Sequence, residues 1–174
     1  AIEASSGRDL TAWADAWLFT ADRDTLAVIA AEGDSVPALL VTPPTAYPAS
    51  RPHVVDVGVY TAGEGQLHQQ VCRVVATPGR TPLADLTIPD RDRVVLPNST
   101  DLTWAAVDLD DESLRALPNL LGQITDPLAR SVAWQTLRDG VARAVIDPRT
   151  YLAAFVASWP RETYPTLVAA VADD

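Results

Sequence analysis

The chain lacks several things that most functional classes require. It has no lysine, so all 13 of its basic residues are arginine, and they are outnumbered by 23 acidic residues to a formal net charge of -10. Phosphate backbones and anionic membrane surfaces are bound through excess positive charge, so this balance excludes nucleic acid and anionic lipid as natural partners. A single cysteine, Cys72, excludes an internal disulfide, a Cys-rich zinc site and a disulfide-stapled secreted scaffold, which makes a reducing cytoplasm the expected location. Only two histidines, His53 and His68, are present, far apart and on expected strands, so neither an H-E-x-x-H helix nor another helical two-His metal pair exists. No run approaches the ~20 apolar residues of a membrane span, and the first residues lack the basic-then-apolar layout of a signal peptide. Methionine is absent and a helical pattern opens within the first ten residues, so the chain reads as a piece of something longer.

What is present is a hydrophobic content of 48% over 174 residues, enough for a real core in one or two small domains. After the turn-like Ser5-Ser6-Gly7, the residues Leu10, Trp13, Ala14, Trp17 and Leu18 recur at spacings of three and four, the stripe of an amphipathic helix. From about residue 25 to 107 the period becomes two. Strands are expected at 26–31, 36–42, 53–60, 67–76, 93–97 and 102–107, separated by the proline-rich 43–52, the turn 61–66 and a Pro-broken stretch at 78–89. Short strands in succession without intervening helices indicate an antiparallel sandwich. From Asp110 the pattern is helical. Asp110-Asp111-Glu112 places acids at a helix start, Asp126-Pro127 and Asp147-Pro148 each combine an N-cap with Pro at the first helical position, and Thr163 caps a final segment with Tyr164, Leu167, Val168 and Val171. Short polar connections pair such helices antiparallel, as in a hairpin or the start of a solenoid. The fold class is therefore α+β: an antiparallel β-sandwich preceded by one helix and followed by antiparallel α-helices.

Catalytic chemistry is harder to find. Carboxylates sit in turns and at helix starts, where capping places them, and no glycosidase pair or phosphate loop is recognisable. In a hairpin turning at 61–66, His53 would lie near Val74 and diagonal to Cys72, which admits a thiol–imidazole hydrolase. Such a site also needs an orienting third group and an oxyanion site, neither of which is visible. The plainer reading is a buried strand cysteine and two surface histidines. Asn98-Ser99-Thr100 matches a glycosylation acceptor but reads as a strand turn, and Trp104 reads as a core tryptophan rather than a sugar platform. No catalytic, cofactor-binding or metal-binding residue is assigned.

The order of parts carries more information than any single residue. Ser6-Gly7-Arg8-Asp9-Leu10-Thr11-Ala12-Trp13-Ala14-Asp15-Ala16-Trp17-Leu18 followed by Thr25-Leu26, Leu96-Pro97-Asn98 with Asp101-Leu102-Thr103-Trp104-Ala105-Ala106-Val107, and Ile124-Thr125-Asp126-Pro127-Leu128-Ala129-Arg130-Ser131-Val132-Ala133-Trp134 occur in this order. Together they resemble the C-terminal half of bacterial aminopeptidase N, the gluzincin zinc aminopeptidases, particularly the actinobacterial branch. Residues 43–65 align only loosely, and Ser99-Thr100 stands where that family is usually more acidic. The resemblance implies three parts: 1–23 as the terminal helix of a catalytic domain, 24–109 as a β-sandwich linker, and 110–174 as the start of a helical C-terminal domain. It implies a parent whose zinc is held by an H-E-x-x-H helix and a further Glu upstream of Ala1, with no zinc in this chain. Leu10, Trp13 and Trp17 would then pack between domains, with the remainder of the parent chain as partner. In their absence the helix is expected to be displaced, or to bury its stripe in a dimer of the isolated chain. The alternatives are an independent β-sandwich binding module for protein or carbohydrate, and the small hydrolase built on Cys72 and His53.

Overall fold

A computed structural model describes residues 5–30, 36–165, 167 and 168. Among the described residues the helix Thr11–Trp17 is followed by seven strands and then by helices, the α+β order expected from the periodicity. Helix α1 (Thr11–Trp17) is short and buries none of its own residues. Strands β1 (Thr25–Ile29), β2 (Ala38–Thr42), β3 (His53–Ala62), β4 (Leu67–Ala76), β5 (Gly79–Pro82), β6 (Arg93–Leu96) and β7 (Ala106–Asp108) form two sheets, ordered β5-β2-β1-β7 and β4-β3-β6. All neighbouring strands are antiparallel except β1 and β7, which run parallel.

Two departures from the expected strands have local causes. β5 lies inside the Pro-broken stretch: Pro82 ends it, and it sits at the edge beside β2, where a missing N–H costs no ladder bond. The strand expected at 102–107 is confined to Ala106–Asp108 because Asn98 and Asp101 both adopt positive φ and coil the preceding residues into turns. Position 31 of the first expected strand, and most of the helix expected after Thr163, lie outside the described residues.

In the sheet β4-β3-β6, β6 and the adjoining end of β3 are covered on both faces, while β4 is largely exposed. Val55, Val57 and Val59 of β3 and Val95 of β6 meet Leu26, Val28, Leu39 and Val41 in the sandwich interior. The alternate residues Tyr60, Val94 and Leu96 point the other way, into a core with Leu117, Leu121, Ala133, Trp134 and Leu137. Each fully buried aliphatic side chain contributes about 1.5–3 kcal/mol relative to exposure, so both faces hold the sheet in place.

The helices behave as their caps dictate. In α2 (Asp111–Leu120) the Asp110 carboxylate accepts the Ser113 N–H at 2.7 Å; in α3 (Pro127–Ala142) Asp126 accepts from Leu128 at 2.9 Å; in α4 (Pro148–Ser158) Asp147 accepts from Arg149 at 2.8 Å. α2 lies on β6 and α4 packs against α2.

Candidate functional site

The densest polar cluster lies where α1 meets the sandwich. Asp24 stands just before β1, Arg51 and His53 stand at the entry to β3, and Thr103 lies in the turn region before β7. Asp24 has no exposed surface, and Arg51 and His53 are each 1% exposed. Both carboxylate oxygens of Asp24 are engaged: Oδ1 accepts from Arg51 Nη1 at 2.6 Å and Oδ2 faces His53 Nε2 at 2.8 Å. A proton on Nε2 leaves His53 Nδ1 to accept from the Thr103 hydroxyl at 2.8 Å. The Asp24 carbonyl accepts from Ala106 N at 2.8 Å, tying the same residue to β7.

Arg51 turns this cluster into a clamp on α1. Its Nε donates to the Ala16 carbonyl at 2.9 Å, and its Nη2 donates to Thr20 Oγ1 at 2.5 Å and to the Ala21 carbonyl at 3.2 Å. A cation placed on the C-terminal carbonyls of a helix also meets the negative end of its dipole. Trp17 packs edge-on to the His53 ring with centroids 5.1 Å apart, and the Arg51 guanidinium carbon lies 5.9 Å from the Trp17 ring centre.

The expectation that α1 is displaced is therefore corrected: three groups at and just beyond its C-terminal end, the Ala16 and Ala21 carbonyls and the Thr20 hydroxyl, close onto Arg51, and Trp17 packs on His53. Trp17 and Leu10 are half-buried, while Trp13 is 43% exposed and the following Leu18 and Phe19 more so. His53 is likewise not a surface histidine, because its ring is enclosed by Asp24, Thr103 and Trp17. His68, near the hairpin tip, is exposed as expected.

The thiol–imidazole arrangement does not form. His53 pairs with Ala76, and Cys72 pairs with Val57, so the two lie four residues apart along the hairpin, about 13 Å at ~3.3 Å per residue. Cys72 is half-buried rather than buried, and burial pushes its thiol up, with the Asp85 and Asp56 carboxylates adding to the effect. That is the opposite of an activated thiolate. Asp24, His53 and Thr103 do line up as carboxylate, imidazole and hydroxyl. With Arg51 neutralising the carboxylate and no solvent access to the ring, this alignment holds structure rather than reacting chemistry.

Nor do these residues fit zinc: among the described residues no three of His, Cys, Asp and Glu stand together, and the one His–Asp pair is closed by a guanidinium. No described helix is long and apolar enough to cross a membrane.

The segment between β6 and β7 is a second built feature. Asn98 is 3% exposed; its Oδ1 accepts from Leu102 N at 2.9 Å and Thr103 N at 3.2 Å, and its Nδ2 donates to the Thr103 carbonyl at 2.8 Å. The triplet Asn98-Ser99-Thr100 is thus a turn whose amide is spent internally. Thr100 Oγ1 donates to Asp56 Oδ2 at 2.7 Å, and Arg73 makes two bonds to the same carboxylate, holding it below the ordinary aspartate range despite the opposing effect of burial. The expectation of a core tryptophan at 104 is corrected: Trp104 is 61% exposed, because the turns end with its ring outside the sandwich.

The Asp24–Arg51–His53 cluster was not legible beforehand. Its one signal is positional: Asp24 immediately precedes a strand, His53 opens one and Arg51 stands two residues before it, next to proline-rich or turn segments.

No protein-family profile matches the chain. Aminopeptidase N of Streptomyces lividans is 32% identical to it over 179 aligned residues, covering 94% of this chain and 20% of that relative. The chain thus spans about one fifth of the length of the curated relative it matches. By sequence, then, this chain is related to aminopeptidase N, as the counterpart of a part of such a protein.

Proposed function

We propose that the chain is a non-catalytic structural region of a zinc-dependent aminopeptidase that removes N-terminal amino acids from peptides, with the zinc site elsewhere in the parent. In this reading 1–23 closes the catalytic domain, 24–109 sets the distance to the helical part, and 110–174 begins the wall that restricts access to the zinc cleft. The parent is cytoplasmic, in keeping with a lone thiol and no disulfide. The partner is the remainder of the parent chain, and Leu10, Trp13 and Trp17 serve the packing between parts. The observation that carries the reading is the match to aminopeptidase N across 94% of the chain. The clamp supports it, since a spacer must hold the helix at its entry in a fixed direction.

Exposed Trp13, Leu18 and Phe19 also give an isolated chain an apolar end on which two copies would meet once salt screens their charge of -10.

The test is to read the gene in frame upstream of Ala1 and assay both products on aminoacyl-anilides. An H-E-x-x-H helix with a downstream Glu, a full-length product inactivated by chelation, and an inactive 174-residue chain are expected. A free-standing gene of this length would overturn the reading. It would favour the alternative of an independent β-sandwich module for protein or carbohydrate, for which exposed Trp104 is the supporting feature.

A further inference from the structure

The two ends of α1 are held very differently. From Ala16 to Asp24 the chain is tied down. The Thr20 hydroxyl donates to the Ala16 carbonyl at 2.6 Å and accepts from Arg51, the Ala21 carbonyl accepts from Arg51 as well, and Arg23 is ion-paired with Asp139 on α3. Asp24 closes the run with its bonds to Arg51, His53 and Ala106. Between these ties Asp22 holds φ at 64°, a conformation that a residue with a side chain keeps where its surroundings impose it.

Ahead of α1 the chain is built the other way. Ser5 and Ser6 are helical, and Gly7 with φ 64° stops that turn, as glycine does just past a helix end. The space where a Cβ would stand on Gly7 is open among the described residues, and residues 5–9 are exposed. Arg8 N donates to Ser6 Oγ at 3.3 Å, and Asp9 Oδ1 accepts from Thr11 N at 2.9 Å, which starts α1 as a new helix. Both bonds span only two residues.

From this contrast we infer that α1 moves with the sandwich, and that the joint to whatever precedes it in the parent is Gly7 with Arg8 and Asp9, not the link between α1 and β1. The inference rests on the reading proposed above and moves the working boundary of its first part from residue 23 to Gly7. A joint forms where the backbone can change φ and ψ without a clash and where few distant bonds must break, and both conditions meet at Gly7. Turning at the link would instead break the Arg51 clamp and the Arg23–Asp139 pair together. An upstream part would thus pivot against a helix that the spacer already holds.

The absence of lysine makes trypsin the natural probe, because ahead of Arg51 it has two sites, after Arg8 and after Arg23, each followed by Asp. Cleavage of both bonds in the 174-residue chain is timed by mass spectrometry and divided by the rates of the same bonds in a synthetic peptide of residues 1–30. After this correction the bond after Arg8 should be cut at least tenfold faster, leaving a product that begins at Asp9 and retains α1. Equal rates, or a first cut after Arg23, would overturn the inference. Arg51→Met should speed the cut after Arg23 at least tenfold and leave that after Arg8 unchanged; an unchanged Arg23 rate counts against the clamp as the cause. Inserting Gly-Ser after Gly7 should leave the melting temperature of the chain unchanged, whereas the same insertion after Asp22 should lower it, and the reverse order refutes the joint. In the full-length gene product the Arg8 bond should again be cut first, and its protection there to the level of Arg23 would overturn the joint alone. The parent reading stands or falls separately, on whether that product carries the zinc motif and peptidase activity.

Discussion

Replacing Arg51 with Met tests the clamp most directly. The substitution keeps much of the side chain's bulk but removes the charge, leaving the Asp24 carboxylate at zero exposure with only His53 to face. Breaking one partner out of a buried ion pair costs about 3–5 kcal/mol, and the Ala16 and Ala21 carbonyls lose their donor as well. Against a total stability of about 5–15 kcal/mol for a domain, this is a large fraction. At roughly 2–4 °C per kcal/mol for a chain of this size, the melting temperature should fall by roughly 10–15 °C. Urea denaturation followed by circular dichroism measures the loss, and proteolysis between α1 and β1 reports whether the helix is released first. The mechanism makes a sharper claim about the double variant Asp24→Asn, Arg51→Met. If the penalty comes from an orphaned charge, removing that charge should recover part of the stability lost in Arg51→Met alone. A single variant within about 1 kcal/mol of the parent chain, or a double variant worse than the single, would refute the reasoning.

Other perturbations probe the packing around this frame. At Gly140 an added Cβ would lie 2.3 Å and 2.5 Å from Ile146 Cδ1 and Cγ1 and 3.2 Å from its Cβ, so Gly140→Ala should lose about 1–2 kcal/mol although alanine favours a helix by about 1 kcal/mol; thermal melts decide the sign. At Gly58 a Cβ would stand 2.8 Å from the Tyr60 ring and 3.1 Å from Ser99 Cβ, and Gly58→Ala should cost about 1–3 kcal/mol. Burial, only partly offset by nearby Ser99, pushes the Tyr60 phenol up to about 12, and its hydroxyl has no hydrogen-bond partner of normal geometry; Tyr60→Phe should therefore leave stability unchanged or raise it in urea titrations. Burial alone would raise the Glu162 carboxyl, but the two-bond Arg130 contact at 2.9 Å and the Tyr164 and Thr163 amides hold it below the ordinary glutamate range. Its contribution is present at neutral pH and is lost as pH falls below about 4, so Glu162→Gln should lower the urea midpoint at pH 7 and flatten its decline toward pH 3.

The parts of the fold that were legible are those whose cause is local. Asp110, Asp126 and Asp147 cap the helices they precede because a carboxylate one residue before a helix can reach its free N–H groups, whatever the rest of the chain does. The β3–β4 hairpin was legible because ten paired residues alternate about one turn. What could not be read is what depends on approach between distant segments. β5 acquires strand geometry only through β2, and His53 is buried only because α1 and the turns before β7 fold over it. The exposure of Trp104 depends on positive φ at Asn98 and Asp101, a choice set by the side-chain bonds of Asn98. The proposed packing stripe Leu10–Trp13–Trp17 shows the same division: its helical spacing was visible, but not that Trp17 would be drawn onto His53 and leave Trp13 outside.

The consequence for a spacer lies in how the sandwich and the helices share the sheet β4-β3-β6. Val55, Val57 and Val59 of β3 and Val95 of β6 face the sandwich core, while Tyr60 of β3 and Val94 and Leu96 of β6 face the helical core, so the two cores share these strands. Buried Ser113 reinforces this: its hydroxyl accepts from Val95 N at 2.9 Å, binding the first turn of α2 to β6 while Arg93 spans to the Asp110 cap. At the other end, Arg51 fixes α1 on the sandwich through a carboxylate that also pairs with β3 and, by its backbone, with β7. A load applied at α1 is thus carried through Asp24 and His53 into β3, and from β3 and its neighbour β6 into the helical core through Tyr60, Val94 and Leu96. In an aminopeptidase of the kind proposed, this continuity would set the distance and direction between the parts on either side by rigid packing.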